Sequence, residues 1–332
     1  MQNQTFKAFV VEETAVGKFE RKFIQKPLDS LPAGDVLIRV HYSTLNYKDG
    51  LSARGHKGIT RKYPHTPGVD AAGIVEQSDS PDFKPGDEVI VTGFDLGMNT
   101  SGGFAEYIRV PAGWVVPLPK NMTLRSSMIY GTAGFTAGIA INELQKRNIM
   151  PDSGKILVTG STGGVGSLAV AMLSKAGYYV VASSGKPEKS DFIKRLGAKE
   201  IISREEVRDS SQKALLSARW VGAIDNVGGD TLSTIVKSLA PWGAVCSIGL
   251  VGSDKLETTV YPFILRGVSI IGVDSAERKM SERLMIWKRI SNEWLLDDIE
   301  FIVKEVSLDA ISDEIDIILL GGQVGKVVVR IE

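Results

Sequence analysis

Short apolar runs broken by turn residues fill the first third of the chain. Residues 36–40, 73–76, 88–92 and 104–110 are rich in Val and Ile. Between them stand Pro32-Ala33-Gly34, Pro67-Gly68, Pro85-Gly86-Asp87 and Ser101-Gly102-Gly103, all turn chemistry. The pattern predicts a β-rich region without strand–helix alternation. From residue 125 the texture changes. Residues 126–146 are long enough for a helix, although Gly131, Gly134 and Gly138 weaken it. Strand and helix then alternate. An apolar strand at 155–160 precedes helical spacing over 165–177, which Gly177 closes. A strand at 178–184 precedes a helix at 187–196, with Pro187 at its start and Gly197 at its end. Strands at 201–203, 221–227, 244–250 and 269–274, with a helix at 230–239, extend the rhythm. Near-continuous apolar strands between helices mean a parallel sheet covered on both faces. The tail carries a helix containing Trp287 and a last strand at 326–331.

Length sharpens this picture. A chain of 332 residues, 43% of them apolar, suits two domains with sizeable cores. The expected division is a β-rich domain over 1–124, a parallel α/β domain over 125–275 and a terminal segment over 276–332. Charge narrows the partners. Lys and Arg number 39, as do Asp and Glu, so no basic excess points to nucleic acid or a membrane surface. The single cysteine, Cys246, excludes an intrachain disulfide and any Cys-rich metal site. It suits a reducing compartment, so a cytoplasmic enzyme is expected. No run approaches a membrane span, and the polar start offers no apolar core for a signal peptide.

The most informative segment is Gly160-Ser161-Thr162-Gly163-Gly164-Val165-Gly166, between the first sheet strand and its helix. Glycines there permit a tight turn and close approach of a pyrophosphate, and the helix start supplies free N–H groups. The spacing is not strict G-x-G-x-x-G, because Ser161 fills the first slot. The alternative is a tight turn with no ligand, and the six-strand alternation favours a dinucleotide. The second strand then decides which dinucleotide. NAD sites place a carboxylate at its end for the ribose hydroxyls. Here the strand ends Ser183-Ser184-Gly185-Lys186, with no acid before Glu188. Serine hydroxyls and a lysine suit a 2′-phosphate, and Arg204 after the third strand is within reach of it. NADP(H) is therefore favoured over NAD(H). Taken singly, Lys186 and Arg204 read equally as solvated surface charges.

Several further segments carry a family resemblance: Leu45-Asn46-Tyr47-Lys48-Asp49, Pro67-Gly68-Val69-Asp70-Ala71-Ala72-Gly73, Gly131-Thr132-Ala133-Gly134-Phe135-Thr136-Ala137, Pro262-Phe263-Ile264-Leu265-Arg266-Gly267 and Gly272-Val273-Asp274-Ser275. With the β-rich start, central Rossmann unit and terminal return, the chain resembles the medium-chain dehydrogenase/reductase superfamily. It resembles in particular the zinc-free quinone oxidoreductase branch and the subfamily that includes bacterial acryloyl-CoA reductases. The resemblance implies a GroES-like catalytic domain, completed by 276–332, beside the Rossmann domain. It also implies a homodimer joined at the Rossmann sheet edge. Zinc alcohol dehydrogenases have Pro-Gly-His-Glu where this chain has Pro67-Gly68-Val69-Asp70, and valine cannot ligate. His41, His56 and His65, without thiolates, do not make a typical zinc site, so no metal is expected. Asp70 is expected to be a structural hydrogen-bonding residue.

Without a Lewis acid, the acceptor must be polarised already: a quinone, an enone or an α,β-unsaturated thioester. Such hydride transfer needs orientation, donors for the developing oxyanion and, for carbon acceptors, a proton. Asn46 and Tyr47 are the candidates the sequence offers. The resemblance places them beside the nicotinamide, with Thr132 near it; a helix cap is the plainer role for Thr132, and a buried aromatic the plainer one for Tyr47. The resemblance also implies that Thr162, Gly163, Gly164, Val165, Ser184, Gly185, Lys186, Arg204, Leu250 and Ser275 line the cofactor. It puts Asn226 on the adenosine side and Ile264 toward the nicotinamide half. The loop Arg54-Gly55-His56-Lys57-Gly58-Ile59-Thr60-Arg61-Lys62 concentrates cations near this segment. It reads either as a solvated flexible loop or as a rim attracting an anionic substrate. The rival to an enzyme is a non-catalytic NADPH-binding protein of the same fold. Trp242, Trp287 and Trp294 read as core or interface residues.

Overall fold

The computed structural model describes residues 4–332. It opens with an antiparallel hairpin of β1 (Thr5–Ala15) and β2 (Lys18–Pro27), turned at Gly17 with φ +74°. The apolar pattern does not predict this hairpin. The sequence of β2, KFERKFIQKP, is charged at alternate and adjacent positions alike, and no residue of it is fully buried. Next come β3 (Val36–Leu45), α1 (Tyr47–Ala53), β4 (Asp70–Ser78), β5 (Glu88–Thr92), β6 (Tyr107–Val110) and β7 (Val115–Pro117). Helix α2 (Leu124–Gln145) is interrupted at Gly131, where φ is +48° and ψ −153°. A Cβ there would lie 2.6 Å from Thr44 Cγ2 and 2.9 Å from Asp70 Oδ2, so only glycine fits the bend.

The alternating region follows: β8 (Lys155–Thr159), α3 (Gly164–Lys175), β9 (Tyr179–Ser184), α4 (Ser190–Arg195), β10 (Glu200–Ser203), β11 (Trp220–Asp225), α5 (Gly229–Ser238), β12 (Leu239–Ser247), α6 (Tyr261–Arg266) and β13 (Ser269–Gly272). The chain ends with α7 (Met280–Ile290), β14 (Val303–Ser307), α8 (Ile311–Leu319) and β15 (Lys326–Arg330). Neither β14 nor α8 is among the predicted elements. Strand β12 starts and stops earlier than its apolar run suggests, and 248–260 holds no helix or strand.

Two compact units result. The first runs to Thr132 and takes in Ala276–Ser291 and Ile299–Glu332; the second is Ala133–Ser275 with Asn292–Asp298. In the first unit one sheet runs β14-β15-β3-β4-β5-β7, with β6 also on β3. Val36, Ile38, Val75, Val89 and Ile108 are buried in its core. A helix as short as α1 is marginal alone. It is held by tertiary packing: its Ala53 shares a buried cluster with Ile311 and Ile315 of α8 and Val327 of β15. Gly50 leaves room for Leu319, whose Cδ2 would stand 3.1 Å from a Cβ at that position. In the second unit six strands are parallel in the order β10-β9-β8-β11-β12-β13. Strand order reverses between β8 and β11, the point at which such sheets open a ligand crevice at their carboxyl ends.

Candidate active site

The turn from β8 into α3 bears out its glycines physically. Gly160 takes φ +59°, and a Cβ on Gly166 would meet the Gly160 carbonyl oxygen at 2.2 Å. Ser161, the residue in place of a glycine, is fully buried. Its hydroxyl donates to the carbonyls of Ser183 (2.6 Å) and Val158 (3.2 Å), tying the turn to β9. Thr162, Gly163, Gly164 and Val165 lead into the N-terminus of α3, whose cap residue Gly163 has no side chain to cover the first N–H groups. At the end of β11, Asn226 donates through Nδ2 to the Thr159 carbonyl (2.8 Å), while its Oδ1 is buried without a partner. Beside it Asp225 accepts from Thr159 Oγ1 at 2.6 Å and from the Gly228 N–H at 2.8 Å. Burial holds the Asp225 carboxyl above its ordinary pKa. An orphaned acceptor and a helix N-terminus without a side-chain cap, at a switch point, suit a bound ligand rather than a closed turn.

At the end of β9, Ser184 Oγ accepts from the Lys186 N–H at 3.0 Å. The guanidinium of Arg204 lies flat against Gly185: a Cβ on that glycine would fall 2.1 Å from Nη2 and 2.4 Å from Cζ. Ser184, Gly185, Lys186 and Arg204 are thus brought together, and no carboxylate stands among them. Burial, with Arg204 and Lys189 nearby, lowers the Lys186 pKa, while Glu188 opposes the shift. Leu250 and Ile264 are exposed, and Ser275 is half-buried at the end of its loop.

The first unit holds a buried polar cluster beneath Tyr47. Asp70 is its hub. Its carboxylate accepts from Asn46 Nδ2 (2.7 Å), from Thr132 Oγ1 (2.6 Å) and from the Thr132 N–H (3.1 Å). Asn46 Nδ2 also donates to the Thr44 carbonyl (3.2 Å), and its Oδ1 accepts from Lys326 Nζ (3.5 Å). Asp49, three residues on, accepts from the N–H groups of Asn46 (2.8 Å), Gly68 (3.1 Å) and Val69 (2.9 Å). Asp49, Asp70 and Lys326 are all buried. Burial pushes the Asp49 carboxyl up to about 7; the N–H donors work against that, and the Asp70 charge adds to it. Burial raises Asp70 as well, and pushes Lys326 down to about 8 against the pull of the two carboxylates. Asp70 therefore has the hydrogen-bonding role expected of it, and Thr132 gives its hydroxyl to it.

The two neighbouring candidates differ. The Asn46 amide spends its hydrogens inside the protein, so it positions rather than donates. Tyr47 is 41% exposed and, among the described residues, its phenol has no hydrogen-bond partner. It is not the buried aromatic of the plainer reading. Asp49 and Lys326 escaped the sequence reading. The spacing Asn46 to Asp49 is that of a helix N-terminus, and Lys326 is a cation placed directly before the apolar run Val327–Val329; both were available signals. Val69 is buried beside this cluster, and His65 turns its Nε2 to the Gly97 carbonyl at 2.9 Å. Among the described residues no three His, Cys, Asp or Glu side chains are grouped to hold a metal. Of these tryptophans, Trp287 and Trp294 are buried, whereas Trp242, within β12, is exposed and has φ +64°.

Comparison with known proteins agrees with this architecture. Residues 32–120 match the alcohol dehydrogenase GroES-like domain, and residues 164–288 match the zinc-binding dehydrogenase family. The chain is 46% identical to the putative quinone oxidoreductase YhfP of Bacillus subtilis, over 91% of this chain and 92% of that one. It is 40% identical to the acrylyl-CoA reductase AcuI of Ruegeria pomeroyi, over 98% and 99%. The yhdH oxidoreductase of Salmonella enterica, solved in complex with NADP, superposes with a TM-score of 0.95 at 40% identity, covering 98% and 100% of the two chains. Bacillus subtilis yhfP with NAD bound gives 0.96 at 44%, covering 99% and 100%. A GroES-like unit, a six-stranded Rossmann unit and these relatives place the chain in one family: it is an oxidoreductase of the medium-chain dehydrogenase/reductase superfamily, in the zinc-independent quinone oxidoreductase and acrylyl-CoA reductase branch.

Proposed function

We propose that this chain is a cytoplasmic, NADPH-dependent reductase of polarised acceptors, namely a quinone, an enone or an α,β-unsaturated thioester, and that it works without a metal. The observation that carries the cofactor choice is the end of β9, where Arg204 lies against Gly185 between Ser184 and Lys186 with no acid among them. Two cations and a hydroxyl suit a 2′-phosphate, which a carboxylate would repel. Residues 125–275 hold the cofactor through these groups, the α3 N-terminus and Asn226, with Leu250, Ile264 and Ser275 completing its surroundings. Residues 1–124 and 276–332 handle the acceptor.

When bound, the dinucleotide supplies the hydride. The protein's part is orientation and charge. Asp70, Asp49 and Lys326 fix Asn46 and so the start of α1, which presents Tyr47. The Tyr47 phenol donates a hydrogen bond to the acceptor oxygen as charge develops there. Thr132, fixed by Asp70, lies on the nicotinamide side. Water protonates the α-carbon where the acceptor is an enone or thioester.

The relatives named for quinones and for acrylyl-CoA support both acceptor classes. NADPH oxidation measured against acryloyl-CoA, a short enone and a quinone tests the reading. Turnover of one or more is expected, and dialysis against a strong chelator leaves it unchanged. NADPH binding without consumption by any acceptor overturns it in favour of a non-catalytic binding protein.

A further inference from the structure

Asp49 sits in a cage of donors. Its Oδ1 accepts from the N–H groups of Gly68 (3.1 Å) and Val69 (2.9 Å), and its Oδ2 from the Asn46 N–H (2.8 Å) and Asn46 Nδ2 (3.4 Å). Each of these groups gives a hydrogen, so a proton on this carboxyl finds no acceptor among its partners. The Asn46 amide is not free to turn its oxygen that way. Nδ2 is bonded to Asp70 Oδ2 (2.7 Å) and the Thr44 carbonyl (3.2 Å), and Oδ1 receives Lys326 Nζ (3.5 Å). Turning it would set the amide hydrogens against the ammonium and the amide oxygen against the Asp70 carboxylate.

The two sides of the cage differ in stiffness. Gly68 takes φ +110°, and a Cβ on it would lie 2.6 Å from the Phe104 nitrogen. Its carbonyl accepts from the Gly103 N–H at 2.8 Å, and the Val69 carbonyl from the Gly93 N–H at 2.9 Å. Opposite them, α1 has seven residues and depends on its packing and its cap. The Asn46 bond is therefore the one that yields when Asp49 takes a proton. The charged groups facing Asp49 are Asp70 of β4 and Lys326 of β15, both buried. Lys48 of α1 is exposed. On the segments packed over Gly68, His65 Nε2 meets the Gly97 carbonyl at 2.9 Å, and Asp95 is held by Asn99 (2.8 Å) and Thr100 (3.0 Å).

Resting on the reductase reading above, we propose that Asp49 is a proton-operated positioning residue for Tyr47. Ionised, it grips the Asn46 N–H and holds the start of α1, so the phenol is presented to the acceptor. Protonated, it keeps Gly68 and Val69 on its carbonyl oxygen but lets go of Asn46, and the phenol is no longer fixed. Burial pushes the Asp49 carboxyl up to about 7, so the grip is lost as pH falls through that value and regained as it rises. Lys326, pushed down to about 8, keeps its charge below that value, so the effect belongs to the acid side. Loss of the grip costs no more than loss of the phenol itself, about tenfold in kcat/KM for the acceptor.

The test uses the full chain, saturating NADPH and a quinone, whose reduction needs no proton on carbon. Wild-type kcat/KM for the quinone is expected to rise by up to about tenfold from about pH 5.5 to about pH 7.5. Tyr47→Phe lacks the group that is positioned and is expected to be low and flat. Asp49→Asn, which carries amide hydrogens where the protonated carboxyl carries its own, is expected to match it. A second measurement needs no turnover. Amide exchange read by NMR, corrected for the intrinsic rate at each pH, should show the wild-type Asn46 N–H losing protection over the same fall in pH, while Gly68 and Val69 keep theirs. A pH step in Tyr47→Phe equal to that of wild type overturns the proposal, because the proton then acts elsewhere. Asn46 protection that does not change with pH overturns it too. The two readings fail separately. Wild type that turns over no acceptor but shows pH-dependent protection at Asn46 removes the reductase and keeps the grip. Turnover with a pH step that survives Tyr47→Phe removes the positioning role alone.

Discussion

Asn46 and Tyr47 stand side by side in the chain in opposite circumstances, one bonded inward on every polar atom and the other with a free, partly exposed hydroxyl. If the phenol positions nicotinamide and acceptor, Tyr47→Phe lowers kcat/KM by roughly tenfold, about 1.4 kcal/mol, on enone and quinone alike. If it were the obligatory acid, the enone would lose about 10²–10⁴-fold and the quinone nothing. Steady-state kinetics on both acceptors decides. Beneath them, Lys326 faces two buried carboxylates, Asp70 and Asp49. Lys326→Met leaves both uncompensated and is expected to cost roughly 3–5 kcal/mol in urea unfolding; adding Asp70→Asn should return part of the loss. The same cluster sets a pH dependence. The folded Asp49 carboxyl keeps a proton up to about pH 7, whereas the unfolded chain has shed it by about pH 4. The native state therefore binds more protons in that window, and this group's contribution to stability falls as pH rises through it. The urea midpoint of Asp49→Asn, followed from pH 4.5 upward, is expected to be flatter than that of wild type across the window.

Elements differed in how openly the sequence announced them. Parallel strands were legible where an apolar run of the right length stands between glycine stops, as at β8 and β9. The β1–β2 hairpin was hidden because β2 lies on the surface and repeats charge instead of alternating. The α2 bend was half legible: three glycines weakened a helix, but that Gly131 alone takes a non-helical conformation depends on Thr44 and Asp70, distant in sequence. The end of β9 is distinctive through what it lacks. An acid-free β9 end predicts that NADPH binds at least tenfold more tightly than NADH, about 1.4 kcal/mol. Lys186→Glu should remove most of that preference in a fluorescence titration of both cofactors. Equal affinities in wild type would refute it, and NAD bound to the yhfP relative makes the measurement worth doing.

At the scale of the molecule, β13 ends the six-stranded sheet with an open edge. Near it Trp242 is 80% exposed, and Val260, Tyr261 and Leu265 also face solvent. An apolar surface beside an unpaired strand calls for a cover. A second copy of the chain is the expected one, as a homodimer. Sedimentation of wild type should give a dimer, and Val260→Glu with Leu265→Glu a monomer; a monomeric wild type would end the idea. The switch in texture read near residue 125 stands close to the division after Thr132, whereas the placing of Asn292–Asp298 with the second unit has no signal in the apolar pattern. The cluster of Asp49, Asp70 and Lys326 was not legible, because its members come together only in the folded sheet.

The antiparallel pairing of β15 with β3 joins residues 327–330 to residues 42–45. The first unit is thus begun at one end of the chain and finished at the other, while the second needs nothing beyond Asp298. During synthesis the Rossmann unit can close while the ribosome still holds the last strand. Until that strand emerges, β3 waits with a bare edge and α1 without its support. The unit that contains β3 and β15 is therefore the late, slow-folding and aggregation-exposed one, and the six-stranded parallel unit the early one.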